Sequence, residues 1–255
     1  MDYSYIPDHV LNGEHALFSP SAAHRWLSCP ASVLRSMEIE SAPTRPSMIG
    51  TAAHWVLENA LEFSLPVGHF LGMTAPNDIE IDLEIIENVQ FAVDWVLENI
   101  DGELVVESRA DIYKALEPRL PIPAIYGTVD IRIYGDGDVL TIADYKNGVW
   151  GVPVSNNPQL ELYALGALHD VDYRYDKVRM VIIQPRNGGI KSVEVETDYL
   201  LRKELYYRSA IAAGLSQTAE ANPSENNCRF CPAKFKCKDY WDLKNTELLD
   251  MMVPK

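Results

Sequence analysis

The chain has 255 residues, 47% of them hydrophobic and 23% charged, an ordinary globular composition long enough for one large domain or a core with a small appendage. No run approaches the ~20 apolar residues needed to span a bilayer, and the start, MDYSYIPDHVLNGEH, lacks the basic and apolar regions of a signal peptide, so a cytoplasmic location without membrane attachment is expected. The net charge of −15 weighs against a nucleic-acid binder, whose affinity comes largely from Lys and Arg on phosphates; basic residues gathered in one groove, or acids neutralised by metal, leave that class open.

In chain order, FSPSAAHRWLSCPAS offers Ser19 and Ser21 as helix N-caps ahead of a helix running toward Cys29. SAPTRPS, 41–47, reads as a loop. From Met48 to about Phe63, Ile49, Ala53, Val56, Leu57 and Leu61 recur at helical spacing. A second, acidic amphipathic helix is expected from about Asp78 to Asn99. Three segments rich in β-branched and aromatic residues follow, ELVVESRADIY (103–113), AIYGTVDIRIYG (124–135) and DVLTIADYKNG (138–148), the last two joined by GDGD as a tight hairpin. A helix over roughly 156–169, strands at KVRMVIIQP and KSVEVET, and a last long helix at about 198–219 complete the pattern. The tail ANPSENNCRFCPAKFKCKDYW reads as turn-rich. The fold class is α/β, with a mixed central sheet flanked by helices.

Two constellations carry chemistry. In IADYKNG, Asp144 and Lys146 stand two apart, so on a strand they leave the same face; Asp130 ends GTVD on the strand before. Carboxylates converging at a strand end suit Mg2+ or Mn2+, and a lysine there can orient or deprotonate a water or stabilise charge on a phosphate. The same D-x-K pattern also occurs as a plain surface ion pair. The second constellation is Cys228, Cys231 and Cys237 with a remote Cys29, read as free thiols or metal ligands rather than disulfides. Arg229, Lys234, Lys236 and Lys238 interleave with Phe230, Phe235, Tyr240 and Trp241, either touching DNA or forming a shell with solvated lysines.

GTVD, IADYKNG and then Gln159 and Tyr163 in NPQLELYALGAL resemble the RecB-type branch of the PD-(D/E)XK nucleases, which includes lambda-like phage exonucleases and CRISPR-adaptation exonucleases. The resemblance covers roughly residues 50–165 and implies a restriction-endonuclease-like core. It implies a G-x-x-x-H helix at Gly50 and His54, and a strand glutamate at Glu107. Asp130, Asp144, Lys146, Glu107, Gln159 and Tyr163 become the catalytic set, with metal held by His54, Asp130, Asp144 and Tyr145. Glu58 and Glu161, near these positions, read as ordinary helix-surface acids. One cysteine before the core and three after it are similar to the iron–sulfur members of this branch, such as AddB-like nucleases. That implies a [4Fe–4S] cluster on Cys29, Cys228, Cys231 and Cys237, with structural Zn2+ as the alternative.

The division implied is a helical segment at 1–47, a nuclease core at 48–220 and a cysteine-rich segment at 221–255, a small cluster module joining the two ends. The function implied is a metal-dependent DNA exonuclease in phage-type recombination or end processing, partnered by DNA, a single-strand-annealing recombination protein or further copies of itself. A non-catalytic DNA-binding or assembly component on the same fold, or an endonuclease, is the alternative.

Overall fold

The computed structural model describes residues 4–11, 16–40, 42–116 and 125–252; Ser41 of the expected loop and Ala124 of the second expected strand lie outside them. The helices are α1 (Asp8–Leu11), α2 (Ala23–Ser28), α3 (Ser32–Ser36), α4 (Arg45–Glu62), α5 (Leu83–Asn99), α6 (Ile112–Ala115), α7 (Pro158–Asp170), α8 (Thr197–Gly214), α9 (Glu225–Cys228) and α10 (Lys238–Met252). The strands are β1 (Gly102–Ala110), β2 (Gly127–Gly135), β3 (Val139–Tyr145), β4 (Lys177–Gln184) and β5 (Gly189–Glu196).

The fold is mixed α/β, as the residue pattern implies. Five strands lie in sequence order: β1–β2, β2–β3 and β4–β5 pair antiparallel, while β3 and β4 pair parallel across the α7 crossover. β3 sits in the middle and is buried along all but its first residue, as a strand covered on both faces must be. On one face Val56, Leu57, Val89 and Val96 of α4 and α5 meet Ile131, Ile133, Ala143 and Tyr145. On the other, Leu160, Leu165 and Leu168 of α7, Leu200 and Ile211 of α8 and Trp26 of α2 cover Leu140, Ile142 and Ile182. Alternate residues of β3 therefore feed opposite cores.

Helix starts explain most boundary differences. α4 begins three residues earlier than periodicity implies because Thr44 and Ser47 form a reciprocal capping box with Pro46 in the first turn. α5 begins at Leu83, later than expected. Asp82 caps it by accepting from the Ile85 N–H, while Thr74 and Glu80 form a short bridge and Asp78 adopts a positive φ of 62°. Ser19 and Ser21 do not cap: Ala22 holds the N-cap of α2, and the two serine hydroxyls face each other at 3.1 Å. KDYW, read as turn, instead opens α10, which carries the pairs Lys238–Asp242 and Lys244–Glu247 one helical turn apart.

Candidate metal centre

Sheet register builds the centre. Gly102↔Gly135 through Ala110↔Gly127 place Glu107 opposite Asp130, and Ile131↔Ala143 places Asp130 opposite Asp144. Both ladders fail at this level. The β1–β2 pairing skips Glu107, whose φ is +41°, and the β2–β3 ladder ends at Ile131↔Ala143. A glutamate at positive φ carries backbone strain of roughly 1–3 kcal/mol, a cost that clusters at functional sites. Where the ladder stops, Asp130 Oδ2 accepts the Tyr145 N–H at 2.7 Å. Three acids on three neighbouring strands thus form a row across the sheet, with the β1–β2 ladder interrupted at Glu107 and resumed at Ser108↔Val129, and with Asp144 still paired to Ile182 of β4.

α4 sets an imidazole over this row. His54 Nδ1 lies 3.2 Å from Glu107 Oε1 and 3.5 Å from Asp130 Oδ1, and its ring meets the Tyr145 ring edge-on at 5.4 Å. One ligand atom from each of His54, Glu107 and Asp130 falls within 4.8 Å of the others. Burial pulls the His54 imidazolium down, but Asp130 and Glu107 outweigh it and raise the group to about 9. Burial also pushes the Asp130 carboxyl up; His54 pulls it back, and the neighbouring Asp144 and Glu107 push it further up. Carboxylates this crowded and this buried call for positive charge.

Asp144 is almost fully buried, and its Oδ1 accepts from Gln159 Nε2 at 2.7 Å. Its Oδ2 lies 2.7 Å from Lys146 Nζ, an ion pair at a poor hydrogen-bonding angle. An imidazole and convergent buried carboxylates fit a hard divalent cation such as Mg2+ or Mn2+. Lys146 loses to burial, but Asp144 and Asp130 more than restore it, and its affinity for a proton is raised.

α7 braces this lysine. Asn157 caps the helix by accepting from the Gln159 and Leu160 N–H groups, with Pro158 in the first turn. Gln159 Oε1 then accepts from Lys146 Nζ at 3.2 Å while its Nε2 donates to Asp144 and lies 3.5 Å from the Tyr163 hydroxyl. Burial, reinforced by Asp144, pushes the Tyr163 phenol up, so it stays neutral. Gly127 of GTVD leaves room for that ring, since a Cβ there would stand 2.9 Å from Tyr163 Cε1.

Most residues singled out in the sequence come together here: His54, Glu107, Asp130, Asp144, Lys146, Gln159 and Tyr163. Tyr145 lies beside them, its hydroxyl donating to Asn147 Oδ1 at 3.0 Å while its N–H serves Asp130. Glu161 is no helix-surface acid. It is 1% exposed and takes hydrogen bonds from Tyr199, Lys203 and Tyr207 of α8. Glu58 stands half-buried one turn beyond His54, and burial, then Glu107, pushes its carboxyl up. Asn157 and Gln184 were missed. An Asn-Pro at a helix start signals the first, whereas nothing local to VIIQ marks the second.

The cysteines meet at the opposite end of the chain order. Cys29, Cys228, Cys231 and Cys237 are free thiols lining one cavity with Arg35 and Ser32. The Asn222 N–H donates to Cys29 Sγ at 3.3 Å and Arg35 Nη1 to Cys237 Sγ at 3.1 Å.

The model of the family described as a protein of unknown function, DUF2800, matches residues 15–252. The chain belongs to this family. Among solved structures, a "putative exonuclease" from Eubacterium rectale superposes with a TM-score of 0.48 at 9% identity, over 88% of this chain and 90% of that one. The structure of SSO0001 gives a TM-score of 0.36 at 14% identity, over 78% and 89%. These likenesses concern backbone alone and carry no chemistry to this DUF2800 chain. No helix among the described residues is long and apolar enough to cross a membrane.

Proposed function

We propose that this chain is a metal-dependent deoxyribonuclease of the PD-(D/E)XK type, an exonuclease acting at DNA ends. One observation carries the reading: three acids in a row across three strands, with an imidazole over them and a lysine of the same strand end 2.7 Å from Asp144. His54, Asp130 and Asp144 would hold Mg2+ or Mn2+, with Glu107 supporting them. The bound cation would polarise a phosphoryl oxygen and acidify a coordinated water.

The protein's own groups do the rest. Lys146, pinned between Asp144 and Gln159, orients or deprotonates the attacking water or stabilises charge on the phosphate. Gln159 fixes that ammonium by giving it an oxygen and giving Asp144 a donor. His54 and Lys146 keep 31% and 28% of their side chains exposed, so substrate reaches the centre from solvent.

Cys29, Cys228, Cys231 and Cys237, free thiols lining one cavity, would hold a [4Fe–4S] cluster or, as the alternative, structural Zn2+, and the preference for iron–sulfur rests on the sequence resemblance. Such a cluster would clasp the 1–47 and 221–255 segments beside the 48–220 core. A cytoplasmic setting in phage-type recombination, beside a single-strand-annealing partner or as a homo-oligomer, rests on the sequence resemblance alone.

End-labelled linear DNA and closed circles, incubated with Mn2+ under reducing, anaerobic conditions, decide the matter. Shortening of the linear substrate with circles spared supports an exonuclease, and cutting of circles an endonuclease. Binding without any cutting returns the chain to the non-catalytic alternative.

A further inference from the structure

Lys146 is followed by a segment, Asn147 to Val152, that leaves the sheet beside the metal centre without regular structure. It is nevertheless held firmly. Gln184, fully buried at the end of β4, donates through Nε2 to the carbonyls of Gly148 and Trp150 at 2.8 and 2.7 Å, and its Oε1 accepts the Val152 N–H at 3.1 Å. Asn187 Nδ2 donates to the Val149 carbonyl at 2.7 Å, and Lys191 Nζ to the Val152 carbonyl at 3.2 Å. With its backbone so tied, the Trp150 side chain still stands out, the residue 72% exposed.

A large ring held in water by a rigid loop loses the burial of roughly 150–250 Å2 that an aromatic side chain ordinarily gains. One cation attends it. The Arg229 guanidinium, exposed and directly after Cys228, lies 5.1 Å from the Trp150 ring centroid. An aromatic face with an arginine beside it is the combination that stacks an unpaired base and meets its phosphate. The pairing places that combination four residues from Lys146 and at the point where the cysteine module reaches the core.

Resting on the nuclease reading above, we propose that Trp150 and Arg229 form a stacking platform for a base of single-stranded DNA, so that the substrate is a single-stranded or frayed end whose backbone continues to Lys146. A duplex offers a base face only at its terminus, and closed duplex DNA offers none. Stacking is indifferent to which base arrives, so the platform selects strandedness rather than sequence. Arg229 braces the ring and adds an exposed positive charge beside it.

Binding can be measured apart from cleavage, by anisotropy of a labelled oligothymidylate with Ca2+ in place of a cleaving metal. Trp150→Ala weakens binding on the order of tenfold or more, Trp150→Phe keeps most of it, and Arg229→Ala weakens it less and with a shallower salt dependence. An oligomer with abasic positions at its end binds wild type and Trp150→Ala alike. Melting temperatures of the variants, expected to match wild type, keep the comparison free of folding. Equal affinity of wild type and Trp150→Ala for the intact oligomer overturns the platform and leaves the nuclease reading standing. Failure of wild type to bind or cut any DNA overturns both.

Discussion

The two ligand-bearing regions are built in opposite ways. In the metal centre, Glu107, Asp130 and Asp144 stand on adjacent strands at one register level, so forming the sheet already positions them. In the cysteine module, contacts to sulfur join residues 193 and 202 positions apart, Asn222 to Cys29 and Arg35 to Cys237; α2 and α3 bury Trp26 and Val33 in the core, while among the described residues α9 and α10 add no side chain to either apolar cluster. The first site is preorganised by the register of one sheet; the second brings together segments far apart in the chain. Removing the metal should therefore silence the first region and loosen the second.

The largest effect expected is on rate. Lys146→Ala or Asp144→Asn lowers the Mn2+-dependent cleavage rate by about 10²–10⁴-fold, the range of a positioned proton-handling group. Circular dichroism should report melting within a few degrees of wild type, because β3 keeps its apolar neighbours. Mn2+ raises the melting temperature of wild type by linkage, and chelator reverses this; Asp144→Asn should lose most of that rise. Full activity in Lys146→Ala would remove the centre from the reaction.

The cysteine module should show the reverse signature. Cys231→Ser removes the broad visible absorbance of an iron–sulfur protein and lowers the melting temperature on the order of 10 °C, since binding free energy at such a site is folding free energy. Nuclease activity measured below that melting point should persist in part. Loss of stability without any visible absorbance in the anaerobic wild type would assign the thiolates to Zn2+ instead.

A third acid sharpens the contrast. Glu161 leaves α7 on the side away from Asp144 and is as buried, yet Tyr199, Lys203 and Tyr207 satisfy it. Glu161 stands alone among donors, whereas Asp144 shares its place with Asp130 and Glu107, a crowding of carboxylates that a cation would relieve. Tyr207→Phe deletes one hydrogen bond to a buried charge and should cost about 1.5–3 kcal/mol, read as a fall of roughly 3–12 °C in melting temperature with cleavage unchanged. A matching fall in cleavage would join Glu161 to the centre.

What the sequence disclosed follows the same division between local and distant causes. The D-x-K spacing at Asp144 and Lys146, the strand pattern around them and the i, i+4 relation of Gln159 and Tyr163 are local, and the structure brings these side chains to one place. The fold class was legible too, since alternation and helical period repeat within each segment. The burial of Glu161 was not, because its partners come from α8, some forty residues later. Neither was the positive φ of Glu107, which sits where the β1–β2 ladder is interrupted, nor the grip of Gln184 on the Trp150 loop. α10 was hidden by its low hydropathy: its helix rests on surface ion pairs rather than an apolar stripe.

The smallest effect tests whether preorganisation of the centre depends on α7. Asn157 contacts no proposed ligand; its side chain caps the N-terminus of α7 and fixes the turn from which Gln159 reaches Asp144 and Lys146. Asn157→Ala removes the cap, worth about 1 kcal/mol, and should lower the melting temperature by roughly 2–4 °C. If the cap serves only the helix, cleavage below the melting point stays at the wild-type rate. If it serves the centre, kcat falls several-fold while KM holds, because a loosened Gln159 leaves Lys146 misplaced more often without changing how DNA is bound. Asn157→Asp, which keeps an acceptor at the cap, should restore both. A kcat deficit that persists in Asn157→Asp would separate the amide from the cap and break the link between helix start and lysine.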